Sequence, residues 1–566
     1  MIRALQGFVV LCLAAFLPHT AYGQSESPAS FDVLIHGGRI LDGSGNPWFY
    51  GDVGIRDGII VTISDLANAD AVQTIDASGL VVAPGFIDIH SHADDSRYGK
   101  QGLRSVDAKR RAAPSLVTQG ITTVIVNQDG RMPAGGIAMQ RAAHDSLGIG
   151  PNAGLLVGHN AIRRQVLGSD YRRPATTEEI GRMRALVRRG MEAGALGLSA
   201  ALEYVPGRWS TTDEVVALVE EIIPHGGVYI AHQRSEGSAP MWWRPSQHAA
   251  PPVTGIEALL ETIEIGERTG ATVVASHIKA RGADFWGLSR DAIALIEQAR
   301  ARGVAIYADQ YPYTTSGSDG NIVLIPAWSI ATGETTGDFT AALHATLNDS
   351  SRLADLRLDI AHTMQYRGGA ENIFVFEHPD TSTIGMSLAE LAAQHDVDPV
   401  EMSVLLQLQG YSDRAGGARL RGFSMAETDL QAFAMQPWVA TASDGGIAVA
   451  GDSSNVHVRF YSTFPRKIRT YAMDSTLMTV AEAVRSATSL PAQILGLSDR
   501  GFLFPGMRAD IVIMDLNRIG ERATFTNPHR YAEGVHSVLI GGIPVVDDGE
   551  LTWALPGTIV STKRLR

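Results

Sequence analysis

The sequence predicts an α/β protein built as a (β/α)8 TIM-like barrel, with a small β-sandwich domain formed by both termini and an inserted lid segment. Three observations support this fold class. Short β-rich runs separated by glycine turns occupy both ends of the chain. The long middle alternates apolar runs of strand length with amphipathic helical stretches. Polar side chains follow several of these apolar runs directly, at the face where barrel strands deliver functional side chains.

Residues 1–23 are typical of an export signal. Arg3 supplies a positive charge, residues 7–17 are apolar, and small residues stand at the cleavage positions in Ala21-Tyr22-Gly23. The apolar run is roughly half of the ~20 residues that a spanning helix needs, so no stable membrane insertion is expected. We therefore expect signal peptide cleavage after Gly23 and a secreted or periplasmic protein. Cys12 is the only cysteine and lies within this segment, which excludes disulfides and thiolate chemistry in the mature chain.

Both ends of the mature chain are predicted to form parts of one β domain. Residues 24–84 are predicted as its N-terminal part and residues 496–566 as its C-terminal part. The β-rich runs that support this prediction are residues 32–35, 52–55, 80–83, 509–514 and 538–546.

Residues 85–495 are predicted as the barrel. Apolar runs of strand length recur at residues 122–126, 154–158, 227–231, 272–276 and 304–308. Helical periodicity lies between them, for example at residues 213–223 and 255–268. The rhythm fails from about residue 318 to residue 434, and we interpret that stretch as an insertion that forms a lid over the barrel mouth.

Composition and charge narrow the class of partner. Hydrophobic residues make up 45% and charged residues 19% of the 566 residues, as in a globular chain. The formal net charge is −13 at pH 7, which argues against nucleic acid and against electrostatic docking on anionic lipid. A small molecule is therefore the expected partner, and a homo-oligomer is compatible with the sequence.

Candidate metal ligands stand at the ends of the predicted barrel strands. His90 and His92 are two positions apart, so a strand projects them to the same side. His232, His277 and Asp444 each follow an apolar run. A single strand-end histidine is more often structural than a ligand, but four imidazoles and one carboxylate together predict a site that holds one or two divalent metals and activates water.

Nine sequence motifs occur in an order that carries a family resemblance. They are APGFIDIHSH at 83–92, VGH at 157–159, YVPG at 204–207, SHIK at 276–279, DQYPY at 309–313, SDG at 443–445, TFPR at 463–466, TSLPA at 488–492 and PGMRAD at 505–510. From about Phe31 to the C-terminal strands, the chain resembles the amidohydrolase superfamily and, within it, the N-acyl-D-amino-acid deacylases, or D-aminoacylases. The resemblance implies a hydrolase that depends on one or two Zn²⁺ ions.

The chain departs from this family at the second strand. The family has a cysteine metal ligand there, whereas this chain has Asp129 in the corresponding slot. Many amidohydrolases bridge two metals through a carboxylated lysine on strand four, but no lysine lies between Lys109 and Lys279. Glu203, at the predicted end of strand four, competes with Asp129 for the bridging role, and Asp129 as a simple loop-capping residue is the third alternative.

The resemblance also implies a site for the carboxylate of an N-acyl-D-amino acid. The matching positions are Tyr204, Lys279, Tyr311 and Arg459. Arginine offers a two-donor fork and lysine a point charge, so both suit an anionic substrate. The family has His-Pro-Arg where this chain has Val458 before Arg459, and surface cations paired with nearby acids remain the alternative interpretation.

The expected reaction is removal of the acyl group from N-acyl-D-amino acids by metal-activated water. Asp444 is the candidate catalytic residue, which takes the proton of the water and passes it to the leaving amine. A dipeptide, another N-acyl amide or a lactone is the alternative substrate, with D or L selectivity left open. A binding protein without catalysis is disfavoured, because the five strand-end ligand candidates are all retained.

Overall fold

The computed structural model describes residues 31–95, 102–317, 321–330, 338–453 and 455–561. The predicted export signal, including Cys12, lies outside the described residues. Among the residues described, no helix is both long enough and apolar enough to cross a membrane.

The strands fall into a β domain, a barrel and a small hairpin. In chain order the described strands are β1 (Phe31–Ile40), β2 (Phe49–Arg56), β3 (Ile59–Ser64), β4 (Ala71–Asp76), β5 (Val81–Pro84), β6 (Phe86–Asp88), β7 (Ile121–Val126), β8 (Asn152–Gly158), β9 (Gly197–Ala201), β10 (Val228–His232), β11 (Thr272–Ala275), β12 (Ile306–Gln310), β13 (Ile373–Glu377), β14 (Arg419–Gly422), β15 (Val439–Thr441), β16 (Ile511–Met514), β17 (Val535–Ile540), β18 (Ile543–Asp547), β19 (Glu550–Leu551) and β20 (Ile559–Val560).

The helices mostly follow barrel strands or build the insertion. In chain order the described α-helices are α1 (Ala108–Arg111), α2 (Pro114–Val117), α3 (Gly136–Leu147), α4 (His159–Leu167), α5 (Thr177–Glu192), α6 (Thr212–Val219), α7 (Gly255–Thr269), α8 (Ser289–Ala301), α9 (Ala327–Ile330), α10 (Phe339–Leu347), α11 (Ser350–Tyr366), α12 (Leu388–Gln394), α13 (Pro399–Gln409), α14 (Glu427–Ala434), α15 (Arg459–Arg466), α16 (Val480–Ala487) and α17 (Ser489–Ile494). A π-helix at Lys467–Asp474 continues α15.

The two termini meet in one β domain, as the sequence predicts. Its strands form a nine-stranded sheet in the order β19-β18-β17-β16-β5-β1-β2-β3, with β4 paired to β1. The N-terminal β5 pairs antiparallel with the C-terminal β16, with Val82 opposite Ile513. Val33 and Ile55 share a hydrophobic cluster with Ile511 and Ile513, so neither terminus completes this core alone.

The barrel prediction is confirmed. Strands β6 to β12 and β15 pair in parallel in chain order. Residues 121–126 and 152–158 are buried throughout, as expected for parallel strands covered on both faces. The ends of β6 and β15 meet through a parallel bridge between Ser91 and Gly445, where the Gly445 carbonyl accepts a 2.7 Å hydrogen bond from the His92 N–H.

The chain between β12 and β15 includes a region with a hydrophobic core of its own. Helices α10 to α13 and the antiparallel pair β13–β14 enclose a cluster that includes Leu343, Ile360 and Leu391. This region is tied to the barrel by polar contacts, since Ser246 donates hydrogen bonds of 2.7 and 3.0 Å to Asp359. It therefore packs on the mouth side of the barrel, next to the long loop that follows β10.

A buried ion pair of the β domain contacts the barrel. Arg500 lies 2.8 Å from Asp510, and both side chains are only 5% exposed. Asp510 also accepts a 3.0 Å hydrogen bond from Asn152, at the start of β8. Burial raises the pKa of Asp510, and Arg500 opposes that effect. Loss of the arginine would leave a buried carboxylate without its charge partner.

We expect Arg500→Met to lower the free energy of unfolding by about 3–5 kcal/mol, because it leaves Asp510 buried and unpaired. Arg508→Met is the matched control: its side chain is 49% exposed and 3.7 Å from Asp499, so a loss below ~1 kcal/mol is expected. Urea unfolding followed by circular dichroism measures both. Equal effects of the two substitutions would contradict this account.

Candidate metal centre

The predicted ligands converge at the C-terminal mouth of the barrel. His90 and His92 follow β6, Asp129 follows β7, Glu203 follows β9, His232 ends β10, His277 follows β11 and Asp444 follows β15. All seven side chains are buried. Barrel closure itself brings the first and last groups together, because the Asp444 N–H donates a 2.9 Å hydrogen bond to the His90 carbonyl.

Three of these residues have left-handed backbone. The φ angle is 58° at Asp129, 36° at His277 and 47° at Asp444. Non-glycine residues adopt this region rarely, and such conformations cluster at functional sites where the surrounding structure holds them in place. Here each one turns a side chain from a strand end into the mouth of the barrel.

The Asp129 carboxylate lies at the centre of the cluster. Its Oδ1 atom is 3.8 Å from His90 Nε2, 3.8 Å from His232 Nδ1 and 3.8 Å from His277 Nε2. Its Oδ2 atom is 3.5 Å from His92 Nε2. One carboxylate therefore faces all four imidazoles.

The ligand atoms form two groups around Asp129. In the first group, Asp444 Oδ1 lies 3.7 Å from His90 Nε2 and 3.1 Å from His92 Nε2. In the second group, His232 Nδ1 and His277 Nε2 are 3.0 Å apart. Asp129 completes a set of three ligand atoms within 4.8 Å with His90 and His92, and another with His232 and His277; a third such set, His90, His277 and Asp444, spans both groups.

Glu203 lies on the far side of His232 rather than between the two groups. Its Oε2 atom is 3.0 Å from His232 Nε2, the nitrogen that faces away from Asp129. Its Oε1 atom accepts a 2.6 Å hydrogen bond from the Met241 N–H. Glu203, His232 and Glu236 form a further set with ligand atoms within 4.8 Å. Asp129, and not Glu203, lies between the two histidine groups.

Several acidic and hydroxyl side chains behind the histidines were missed by the sequence analysis. Asp95 Oδ2 is 2.9 Å from His92 Nδ1, and Glu236 Oε1 is 2.9 Å from His277 Nδ1. Ser276 contacts His90 Nδ1 and donates a 2.7 Å hydrogen bond to Asp309. Partners of this kind fix the orientation of ligating imidazoles. Their positions in the sequence could have identified them, because each lies within four residues of a ligand candidate or directly after an apolar run.

Electrostatics keep the central carboxylates charged. Burial alone would raise the pKa of Asp129, but His277 and the other neighbouring imidazoles hold it well below its usual range. Burial likewise works against ionised Asp444, yet Arg459 and His92 keep the pKa of that carboxyl well below its usual range. Both groups are therefore available as anionic ligands.

Unpartnered atoms at the centre fit a cation. Within the described part of the chain, His90 Nε2 and Asp129 Oδ1 are buried and have no hydrogen-bond partner. Buried polar atoms of this kind call for an explanation, and an ion between imidazole nitrogens and carboxylate oxygens provides one. Imidazole nitrogens and carboxylate oxygens are ligands that zinc accepts.

The four residues assigned to substrate binding surround this cluster. The Tyr204 ring lies 4.2 Å from the His232 ring, and the Arg459 guanidinium lies 4.7 Å above the Tyr311 ring. Arg459 Nη1 is 2.9 Å from Asp444 Oδ2. Among the described residues, the buried Tyr311 hydroxyl and Arg459 Nε have no hydrogen-bond partner. These two donors therefore point to a place for an acceptor group of a ligand.

The Lys279 ammonium group, unlike the Tyr311 hydroxyl and Arg459 Nε, already has partners within the protein. Its Nζ atom is 2.5 Å from Glu236 Oε1 and 2.8 Å from His277 Nδ1. Lys279 and Arg459 are both buried beside the ligand cluster, at 9% and 2% exposure, so neither is a surface cation. The His457 imidazole holds the backbone of Arg459 in place, because its Nδ1 accepts a 3.0 Å hydrogen bond from the Arg459 N–H.

Comparisons with known proteins agree with this geometry. The Amidohydrolase family profile matches residues 73–220 and 361–546. The D-aminoacylase of Alcaligenes xylosoxydans xylosoxydans is 31% identical over 560 residues, covering 95% of this chain and 99% of that protein. N-acyl-D-glutamate deacylase of the same organism is 30% identical over 536 residues, covering 91% of this chain and 93% of that protein.

Solved structures extend the likeness to the fold. The crystal structure of N-acyl-D-glutamate deacylase from Bordetella bronchiseptica, complexed with zinc and a phosphonate mimic of the tetrahedral intermediate, is 27% identical with a TM-score of 0.70. That match covers 94% of this chain and all (100%) of that one. A D-aminoacylase crystal structure is 28% identical, also with a TM-score of 0.70 and the same coverage. The resemblance carried by the sequence motifs is thus confirmed: the chain belongs to the amidohydrolase family, within the group of the N-acyl-D-amino-acid deacylases.

Proposed function

We propose that this protein is a zinc-dependent hydrolase that removes the acyl group from N-acyl-D-amino acids. One observation carries the proposal. Four imidazoles and the carboxylates of Asp129 and Asp444 converge at the barrel mouth, with the unpartnered donors of Tyr311 and Arg459 beside them. The relatives named for this reaction support the choice of substrate.

Zinc would be held by the two histidine groups. His90, His92 and Asp444 would form one ligand set, His232 and His277 the other, and Asp129, which faces all four imidazoles, would serve both. A carboxylate is a harder ligand than the cysteine that the family uses in this slot, and it has two oxygens to share. The position of Asp129 between the groups supports this bridging role over Glu203.

When bound, zinc supplies a Lewis acid that polarises the amide carbonyl and makes water a nucleophile near neutral pH. Asp444 is placed to handle the proton. Its Oδ1 atom faces His92 and its Oδ2 atom contacts Arg459. As an ionised base it would accept a proton from the attacking water and deliver it to the amide nitrogen as the C–N bond breaks.

The carboxylate of the amino acid would lie against Arg459 and Tyr311. Both donors are buried beside Asp444, on a chain whose formal net charge is −13. Such an excess of negative charge repels anions at long range, so local donors must hold the substrate. Lys279 would contribute a positive charge to the same pocket rather than a free hydrogen-bond donor, because Glu236 and His277 already engage it.

A second candidate is hydrolysis of a dipeptide, another N-acyl amide or a lactone by the same site. The observation that favours it is the departure from the family pattern at Asp129 and Val458, which changes the metal ligand and the approach to Arg459. We also propose that the protein is exported, on the strength of the charged, apolar and small-residue pattern of residues 1–23.

The zinc-loaded protein should hydrolyse an N-acyl-D-amino acid at least about tenfold faster than its L isomer, since the donors beside Asp444 hold the carboxylate in one orientation. A panel of paired D and L substrates, with amine release as the measurement, checks this. Removal of zinc by a chelator should abolish turnover and its return should restore it.

Asp444→Asn is the matched control for that panel. It should lower turnover by about 10²–10⁴-fold, because an amide cannot shuttle a proton, while zinc remains bound through the histidines. Equal rates on D and L isomers, or faster cleavage of dipeptides or lactones, would favour the second candidate.

Asp129→Ala should reduce the zinc content of the purified protein, because both ligand groups lose an oxygen. Glu203→Gln should keep the zinc and weaken its affinity by about 10–100-fold, as expected for a residue that orients His232. Mass spectrometry of bound metal distinguishes them. If Glu203→Gln loses the metal and Asp129→Ala retains it, the bridging role passes to Glu203.

Arg459→Ala should lower kcat/KM for an N-acyl-D-amino acid about 10–100-fold more than for its methyl ester, as expected for loss of a charge-assisted hydrogen bond. Any effect through Asp444 applies to both substrates and cancels in their ratio. An unchanged ratio of acid to ester turnover would show that Arg459 does not bind the carboxylate.

A further inference from the structure

Two adjoining cavities lie beside the candidate metal centre. The first, here the inner cavity, has a volume of about 490 Å³ and opens on Asp129 and Tyr204. The second, here the outer groove, has a volume of about 620 Å³ and lies between the start of α3, α4 and the later turns of α5. The two share four lining residues, which are Met132, Pro133, Ala161 and Arg164. The two cavities therefore adjoin each other, and Asp129 lines the inner one.

The amide side chains that line the inner cavity are already hydrogen-bonded within the protein. Asn127 exchanges hydrogen bonds of 2.8 and 3.0 Å with Gln140. Asn160 donates a 2.9 Å hydrogen bond to the Ala201 carbonyl and accepts one of 3.1 Å from the Ala201 N–H. Both amides therefore already have hydrogen-bond partners within the protein.

The acidic side chains of the inner cavity are held by cations. Asp94 accepts a 2.9 Å hydrogen bond from Arg104, and Asp95 lies 2.9 Å from His92 and 3.6 Å from Arg131. A ligand segment in this cavity therefore meets carboxylates that already have cationic partners. Arg131 and Arg164 also line the cavity, and its apolar contacts with a ligand come from Met132, Pro133, Ala161, Val205 and Pro206.

The outer groove is mostly apolar. Its apolar lining consists of Met132, Pro133, Ala134, Ile137, Ala138, Ala161, Leu186 and Ala193, with Gly135, Gly136 and Gly190 between them. Arg164 lines it with its stem, because its guanidinium lies 5.0 Å above the Tyr171 ring. Arg189 and Gln165 complete the rim. A mostly apolar groove that adjoins a polar cavity suits a flexible hydrocarbon chain.

We propose that the inner cavity and outer groove bind the acyl chain of the substrate, and that this enzyme acts on amides of long, unbranched fatty acids. The inference rests on the proposed function. An N-acyl amino acid has two ends: its carboxylate belongs beside Asp444, where Arg459 lies. The inner cavity instead opens past Asp129 and Tyr204, and neither Arg459 nor Tyr311 lines it. The acyl chain is the part of the substrate that extends in that direction.

Burial of hydrocarbon sets the expected size of the effect. Each methylene fully removed from water contributes about a fourfold gain in binding, and a half-open groove gives about a twofold gain. A series of zinc-loaded assays on one D-amino acid, with acyl groups from acetyl to dodecanoyl, should show kcat/KM rising about two- to fourfold per methylene until the groove is filled.

Groove-filling variants test where the chain lies. Ala161→Phe, at the junction of the two cavities, should lower the ratio of decanoyl to acetyl kcat/KM at least about tenfold. Ala138→Phe, in the outer groove, should lower kcat/KM only for the longest acyl chains. It provides the same test if the Ala161→Phe variant fails to fold. Ala185→Phe is the matched control, because Ala185 is exposed on α5 and lines neither cavity.

Binding of decanoate to the zinc-loaded protein gives a readout that needs no turnover. Calorimetry should show tighter binding of decanoate than of acetate, and Ala161→Phe should remove that difference. A flat chain-length profile with active acetyl hydrolysis would overturn the inference and leave the proposed function standing. A preference for succinyl or glutaryl groups over alkyl groups of equal length would also overturn it, by assigning the cavity to anions held by Arg131 and Arg164. If no acyl amide is cleaved, the proposed function fails, whatever decanoate binding shows.

Discussion

Closure of the barrel between β6 and β15 is the constraint on which the candidate site depends. The hydrogen bonds that join His90 to Asp444 and His92 to Gly445 are backbone bonds, so they do not depend on any ligand. They bring the first and last strand ends together and place two imidazoles against one carboxylate. The same parallel packing aligns the ends of β7, β10 and β11 at the mouth, because strands that run in one direction deliver their C-terminal ends to one face.

The buried carboxylates at the barrel mouth are balanced by cations and hydrogen-bond donors. Buried carboxylates are costly unless cations or hydrogen-bond donors surround them, and each one here has such partners. Asp129 lies among four imidazoles, Asp444 contacts Arg459, and Glu236 is held by Lys279 and Arg281. The site thus combines ionised carboxylates with the unpartnered donors of Tyr311 and Arg459 beside Asp444, and with a cavity beyond Asp129 that adjoins a mostly apolar groove. Those two surroundings suit the two ends of one amide substrate.

Most of the architecture and the identities of the ligand candidates could be predicted from the sequence. The strand pattern of the barrel is local, and His90, His92, His232, His277 and Asp444 stand directly after apolar runs, so position along the chain is informative about position in the fold. The partners behind them were not predictable in the same way. Asp95 contacts His92, which is 3 positions away in the sequence, whereas Ser276 contacts His90, which is 186 positions away. No local pattern encodes a contact of that length.

By itself, the sequence determined the strand and helix periodicity, the family motifs, the absence of a bridging lysine and the set of side chains able to bind metal. Only the tertiary structure distinguishes the positions of Asp129 and Glu203, because both follow strands and both are carboxylates. The difference lies in which nitrogen of His232 each one faces, Nδ1 for Asp129 and Nε2 for Glu203. Ring orientation and the left-handed turn at Asp129 arise from packing between distant strands. Such geometry is set by contacts across the fold, and residue order along one strand does not contain it.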